Sequence, residues 1–370
     1  ETGALLRDGS PIKYDSGNYL SCLEKALSLA DYASFGGRQK LAKEEGRYIG
    51  IGISSYTEDT GLGPYEGTTV RVQPNGKILV RSGCASQGQG HQTFVSQIVA
   101  ERLDVALEDV VFESGDTEKF AHGVGTIGSR IAANVGPSAY HAATEVREKA
   151  ISLASETLEA AEQDLELSNG KVHVKGVEDL SISLGELARA LSPMAGGKIP
   201  SGFSPSLEAT SYTGSNGSPF ASGTNVTEVE VDILTGNVKL LNYSVAHDCG
   251  VMINPKIVEG QIIGGVVHGI GNALFEQMIY SDAGQPLTNT YADYLLPLAT
   301  EMPNVEIVHE ESPSPLNALG VKGAGEGGTI PATAAVVAAV ENALQQFDVE
   351  IDYYPINPQH LTELIDGKFL

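Results

Sequence analysis

Cysteine is nearly missing from this chain: Cys22, Cys84 and Cys249 are the only three in 370 residues, and they stand far apart. No CxxC pair or Cys/His cluster occurs, which argues against a zinc or iron–sulfur site built from this chain. Three scattered thiols do not make a disulfide framework either, so a reducing, cytoplasmic setting is expected. No apolar run approaches the roughly 18 residues a membrane span requires, and no signal peptide is expected. Basic residues are scarce: 23 Lys and Arg against 47 Asp and Glu give a formal net charge of -24. A surface that acidic repels nucleic acid and anionic membranes, and in most proteins it serves only solubility. The first glycine cluster, SQGQGHQTF, is not a GxGxxG after a strand with a ribose-binding acid and lacks the P-loop lysine, and no GxSxG elbow occurs, so nicotinamide, ATP and serine-hydrolase chemistry lack support. A hydrolase using Asp248 with His91 or His268 would have no nucleophile motif beside it. The chain opens at Glu1 without an initiator Met and is expected to be a cleaved or partial product of something longer.

What is present in quantity is glycine, 43 residues of it, which implies many tight turns and places of close backbone approach. The length suits two or three domains or one large α/β unit. A short helix is expected over Tyr19–Tyr32, with Leu20, Leu23, Ala26, Leu27 and Ala30 on one face, and a charged, solvated connection over Lys40–Gly46. From Tyr48 the pattern becomes strand-like, and TTVRVQPNGKILVRSG reads as a hairpin about a Pro-Asn-Gly turn. A helix over His91–Leu103 and a strand over Asp109–Glu113 follow. Pro137 to Gln163 reads as the longest helix, with Pro137 at its first position. Residues from Ser192 to Gly223 are rich in Ser, Gly and Pro and read as a loop, whether ordered or mobile. A second hairpin spans VTEVEVDILTGNVKLLNYSVAHD, a Gly-studded helix Pro255–Tyr280, and a last helix starts near Pro331. Hairpins followed by helices, twice over, predict an α+β fold of mixed β-sheets with packed helices. The expected division is a connecting segment (1–46), a main domain (47–345) of two hairpin-plus-helix units (47–165 and 224–345) joined by 166–223, and a tail (346–370). HGVG at His122 returns as HGIG at His268, a hint of internal duplication.

Four glycine clusters precede predicted helices. SQGQGHQTF (Ser86–Phe94) combines permissive backbone with the unpaired first N–H groups of a helix, which suits an oxyanion or phosphate and equally a plain capped turn. GVGTIGSRIAANVGPSA carries Thr126, Ser129, Arg130 and Asn134. Arg130 could neutralise a phosphate through its fork of donors, or pair with a surface carboxylate. AHDCGVMINPKIVEGQIIGGVVHGIG sets Asp248, Asn254 and Gln261 among apolar residues, where each needs a hydrogen-bond partner in the fold or in a ligand; Cys249 reads as a small buried residue. In LGVKGAGEGGTIPATAAVV, Glu326 stands among Gly320, Gly323, Gly325, Gly327 and Gly328 just before a helix. A carboxylate on so bare a backbone reads as presented to a cavity, where poor solvation would make it a usable base near neutral pH. A first-turn acid favoured by the helix dipole is the plainer alternative.

Five segments, in order, resemble the xanthine oxidase family of molybdenum hydroxylases, especially its carbon monoxide dehydrogenase-like branch: GQGHQT (Gly88–Thr93), GTIGSR (Gly125–Arg130), DCGVMINPKIVEGQIIGG (Asp248–Gly265), YADYLLP (Tyr291–Pro297) and GVKGAGEGG (Gly320–Gly328). The resemblance implies the C-terminal molybdopterin-binding half of a large subunit. It makes Glu326 similar to the base that takes a proton from metal-bound water during hydroxylation. Gly88, Gln89 and Gly90 resemble the loop that holds the pterin, and Thr126, Ser129 and Arg130 a second cofactor loop. Asp248, Asn254, Gln261 and Lys322, with Gly323 beside it, resemble residues holding a dinucleotide tail, often cytosine in bacterial members. The implied cofactor is molybdopterin cytosine dinucleotide with molybdenum. The implied partners are a chain carrying the N-terminal molybdopterin-binding half and subunits carrying [2Fe-2S] clusters and FAD. The implied reaction is water-derived hydroxylation of an N-heterocycle or aldehyde. A noncatalytic cofactor-storage subunit, or the catalytic half of a carbon monoxide dehydrogenase, are the competing expectations; storage needs no base, so Glu326 speaks against the first.

Overall fold

The computed structural model describes residues 3–5, 9, 11–192, 199, 201–214 and 217–367, apart from the side chain of residue 178. In chain order it opens with helices α1 (Tyr19–Leu29) and α2 (Tyr32–Glu44) and strand β1 (Tyr48–Asp59). The hairpin strands β2 (Glu66–Val72) and β3 (Ile78–Ser82), helix α3 (His91–Leu103), strand β4 (Val110–Ser114) and helix α4 (Ile131–Leu158) follow. Next come β5 (Leu165–Ser168), β6 (Lys171–Val174), β7 (Val177–Ser183), α5 (Leu184–Ala190) and β8 (Glu208–Thr213). The chain continues with the hairpin β9 (Phe220–Val231) and β10 (Val238–Asp248), helix α6 (Pro255–Leu274), strand β11 (Val305–His309), and helices α7 (Ala332–Ala343) and α8 (Pro358–Asp366). This is the expected α+β arrangement of mixed sheets and packed helices.

The chain divides into two compact units. The first joins residues 1–59, 220–313 and 324–370; the second joins 60–219 and 314–323. In the first, the sheet order is β1-β9-β10-β11, antiparallel except for the parallel β10–β11 pair. Strand alternation sends Ile49, Ile51, Val226 and Ala246 to one face, where Cys22, Ala26, Phe35 and Ala42 of α1 and α2 cover them. Val229, Val231, Tyr243 and Val245 go to the other face, against Ile262, Val266 and Ile270 of α6, Val336 and Val340 of α7, and Leu361 and Ile365 of α8. Each such aliphatic side chain, fully buried, contributes about 1.5–3 kcal/mol. Gly50 and Gly52 are the residues of β1 that face α7. A β-carbon on either would lie 2.0 Å from a carbonyl oxygen, that of Ala339 or Ala335 respectively. Strand and helix backbones therefore touch directly, which also explains the alanine-rich face of α7.

In the second unit the order is β4-β3-β2-β8, with β3 and β4 parallel and the other neighbours antiparallel. A separate antiparallel sheet, β5-β6-β7, belongs to the same unit. The two four-stranded sheets share a topology. Hairpin, helix and parallel third strand recur as β2-β3-α3-β4 and as β9-β10-α6-β11, and a strand distant in sequence (β8, β1) flanks the first hairpin strand in both. The repeated tetrapeptide does not mark this duplication, because His122 lies in a loop and His268 inside α6.

Several boundaries differ from expectation. The charged Lys40–Gly46 segment falls largely in α2, a helix held by only two buried residues, Phe35 and Ala42. Helix α4 begins at Ile131, so Pro137 sits within it, two turns from where a proline is easiest to place. Helix α6 stops at Leu274, short of Tyr280. The expected joining segment 166–223 holds β6, β7, α5, β8 and the start of β9. Within the Ser192–Gly223 stretch, residues 193–198, 200, 215 and 216 lie outside the described ones. Residues 1–46 contribute α1 and α2 to a core, and the 346–370 tail contributes α8.

Candidate cofactor site

Two of the glycine clusters, and the Gly320–Gly323 end of another, meet inside the second unit. The 86–90 loop follows β3 and enters α3 through Gly88 (φ +115°) and Gly90 (φ +70°), conformations that favour glycine. Space around the Gly88 α-carbon is open, with nothing within 4 Å of where a β-carbon would stand. The first-turn N–H groups of His91 and Gln92 have no acceptor among the described residues. His91 itself is 1% exposed with Nδ1 unpartnered, and burial lowers its affinity for a proton. Gln89 folds back on its own loop, its Oε1 accepting from Gln87 N at 2.7 Å and its Nε2 donating to Gln87 Oε1 at 3.0 Å.

The second cluster packs against the first. A β-carbon at Gly83 would lie 1.7 Å from His122 O, and Thr126 Oγ1 donates to Ala85 O at 2.5 Å. Gly125 and Gly128 adopt positive φ, and so does Ser129 at +45°. A β-carbon at Gly323 would lie 1.8 Å from Ser129 O, while Gly323 N donates to Thr60 Oγ1 at 2.9 Å. Lys322, just before it, is 1% exposed.

Arg130 is occupied within the fold. Its guanidinium pairs with Glu66, with both side chains fully buried. It also donates to the carbonyls of Leu62, Gly125 (2.9 Å) and Tyr65 (3.2 Å). Neither a free phosphate fork nor a surface ion pair describes it. Any part it takes in cofactor binding runs through the loops it ties together. Sequence reading passed over Glu66, whose Oε1 also accepts from Val124 N at 3.0 Å. A glutamate at the start of a Thr/Val-rich strand carries no mark of such a partner.

The other candidates lie in the first unit. Asp248, 0% exposed, ends β10 and accepts through Oδ1 from Gly250 N (2.8 Å) and Ser312 N (3.3 Å). Asn254 caps α6, accepting from Ile257 N at 3.1 Å, with Pro255 in the first turn. These bonds give both residues local structural work. Gln261 is half-buried on α6, one turn before Gly264, around which space is open.

Glu326 sits on a tight turn into α7: its carbonyl accepts from Thr329 N (3.0 Å) and Ile330 N (3.1 Å). The two glycines after it are buried by close approach. A β-carbon at Gly328 would lie 2.2 Å from Ile262 O, and one at Gly327 would lie 2.5 Å from Tyr56 Oη. Glu326 itself is exposed. The cavity wall expected around its carboxylate is thus not supplied by the described residues of its own unit. Tyr56 and His247, buried beneath the turn and joined by a 2.9 Å hydrogen bond, were not visible as site residues in the sequence.

Residues 25–303 match the molybdopterin cofactor-binding domain family. The chain belongs to that family. Among members of known function it is 38% identical over 368 residues to the nicotine 6-hydroxylase large subunit of Paenarthrobacter nicotinovorans, covering 96% of this chain and 45% of that one. It is 35% identical over 345 residues to the carbon monoxide dehydrogenase large chain of Hydrogenophaga pseudoflava, covering 88% and 42%. The solved quinoline 2-oxidoreductase from Pseudomonas putida 86 superposes with a TM-score of 0.88 at 38% identity, covering 99% of this chain and 48% of that one. This molybdopterin-binding chain therefore spans about half the length of the relatives it matches. The architecture suits the group the family is named for: open positive-φ glycines and unpartnered first-turn amides offer donors, beside the unpartnered Nδ1 of buried His91, to an anionic, multiply hydrogen-bonding ligand. Among the described residues no cluster of three or more His, Cys, Asp or Glu side chains could hold a metal ion, and no helix is long and apolar enough to cross a membrane.

Proposed function

We propose that this chain is the C-terminal, cofactor-gripping half of the catalytic subunit of a molybdenum hydroxylase, with Glu326 as its base. The observation that carries the reading is the Glu326 turn, whose two following glycines, Gly327 and Gly328, are packed against buried neighbours while Glu326 itself is exposed. Storage of a cofactor gives no reason to present a carboxylate in this way. When bound, the cofactor supplies a molybdenum centre that activates water and accepts two electrons. The chain's own residues bind and orient. The 86–90 loop and the first turn of α3 offer N–H donors to the pterin. Thr126 and Ser129 hold the second loop, and Asp248, Asn254, Gln261, Lys322 and Gly323 border the dinucleotide tail, taken to be cytosine. Glu326 accepts a proton at its carboxylate as oxygen derived from water is delivered to substrate.

An N-heterocycle is favoured over an aldehyde as substrate, because nicotine and quinoline stand in the names of relatives at 38% identity. The partners in this reading are the N-terminal molybdopterin-binding half, an iron–sulfur subunit with [2Fe-2S] clusters and an FAD subunit. The test is Glu326→Gln in the complete complex. Turnover should fall by at least ~10³-fold, the scale of a well-placed acid or base together with its positioning, at unchanged molybdenum and nucleotide content. Near-normal turnover would remove Glu326 as the base, and the enzyme reading in this form with it.

A further inference from the structure

The Glu326 turn lies on a buried Tyr–His pair to which no role has been assigned. Tyr56 projects from β1 and His247 from β10, at 8% and 0% exposure, with Tyr56 Oη and His247 Nδ1 2.9 Å apart. Burial, reinforced by the neighbouring Glu58 carboxylate, pushes the Tyr56 phenol well above its ordinary range. The hydroxyl therefore keeps its proton, and it shares one hydrogen bond with the imidazole Nδ1. Directly above lies Gly327: a β-carbon there would stand 2.5 Å from Tyr56 Oη and 2.7 Å from His247 Cε1. On its other side the turn meets α6 backbone, because a β-carbon at Gly328 would stand 2.2 Å from Ile262 O. The turn is closed by the two amides that donate to Glu326 O.

We infer that Tyr56 and His247 are positioning residues for Glu326: their hydrogen bond fixes the height of the platform on which Gly327 rests, and so fixes where the neighbouring carboxylate is presented. This deepens, and rests on, the assignment of Glu326 as the base. Both side chains act through the backbone of residue 327. Tyr56→Phe keeps the ring and removes only the bond that locks it to His247. Gly327→Ala drives a methyl group into the pair. A displacement of the base by about 1 Å is enough to cost roughly 100-fold in rate.

The experiment uses the complete, cofactor-loaded complex and compares Tyr56→Phe, Gly327→Ala, Glu326→Gln and the control Thr57→Val, which removes an exposed hydroxyl from the same strand. Expected for the first two is a fall in kcat of about 10- to 100-fold, with KM and molybdenum content within about twofold. Faster hydrogen exchange confined to the amides of Gly325–Ile330 should accompany it, as a readout independent of turnover. The control should match wild type in all three. The inference is overturned if Tyr56→Phe leaves kcat within twofold, or if kcat and molybdenum content fall in proportion, which would make the pair a folding element only. Activity retained in Glu326→Gln would instead strike at the assignment of the base, so the two failures are distinguishable.

Discussion

Removing the Glu66 carboxylate should loosen one loop far more than it loosens the fold. In Glu66→Ala, the Arg130 guanidinium loses its counter-ion where both side chains are fully buried, and Val124 N loses its acceptor. Three carbonyls, from Leu62, Gly125 and Tyr65, still receive its donors, so hydrogen bonding survives in part while the charge stands uncompensated. Breaking such a pair from one side costs about 3–5 kcal/mol, a large share of a typical domain's stability. If that cost falls on opening of the loop, hydrogen exchange at the amides of Val124–Asn134 should accelerate by roughly 10²-fold to a few thousand-fold, at about 1.4 kcal/mol per tenfold. Amides in the β5-β6-β7 sheet of the same unit should hardly change. Replacing both partners, as Glu66→Leu with Arg130→Met, removes the stranded charge but leaves the Val124 amide without its acceptor and the carbonyls of Leu62, Gly125 and Tyr65 without the guanidinium, at about 1–3 kcal/mol for each group that stays unpaired. Acceleration under tenfold in the single variant, or acceleration spread evenly over the unit, would refute the view that this pair holds the loop.

Two further outcomes follow from the same geometry. Burial raises the thiols of Cys22 and Cys84 to about 11; both are free and buried. The unfolded chain thus loses these protons near pH 9 while the folded one keeps them, so fewer protons are bound in the unfolded state. Stability to denaturant should accordingly be full below about pH 9 and decline as pH rises toward 11, and Cys22→Ala with Cys84→Ala should flatten that decline. Gly52→Ala should cost about 1–3 kcal/mol or more by denaturant titration, because the added methyl meets backbone of α7, which cannot rotate away.

Elements with their own periodicity or turn chemistry were legible before any coordinates. The β2–β3 and β9–β10 hairpins carry alternating Val and Ile about Pro-Asn-Gly and Thr-Gly-Asn turns, and α3 was bounded by the glycines ahead of it. Helix α2 was hidden, because a helix anchored only at Phe35 and Ala42 leaves a polar sequence between its anchors. Strand β8 was hidden in a Ser/Gly/Pro-rich stretch, since its pairing with β2 is set by tertiary context more than by its own residues. At the site, Gly88, Gly90 and Glu326 could be singled out because glycine in such density has few other uses. Glu66, Tyr56 and His247 could not. Each acquires its part from a residue more than 50 positions away, and a buried Glu, Tyr or His in or beside a strand looks the same with or without such a partner.

The glycine clusters looked alike in sequence, yet their glycines do two different physical jobs. In both units one cluster follows the second hairpin strand and another follows the parallel third strand, each running into a helix. In the second unit Gly88, Gly90, Gly125 and Gly128 are needed for conformation, with φ between +55° and +115°, where a β-carbon strains the backbone whatever the space around it, while Gly123 and Gly323 are needed for contact, a β-carbon there standing 2.3 Å from Gly83 O and 1.8 Å from Ser129 O respectively. In the first unit Gly265, Gly269, Gly327 and Gly328 are needed for contact; a β-carbon on any of them would stand 2.2–2.9 Å from a neighbouring atom. The first kind makes a backbone that turns its amides outward toward a ligand. The second draws helix, strand and turn together beneath the exposed Glu326. A conformational need and a contact need are thus both written as glycine, and only φ and the distance to the next backbone tell them apart.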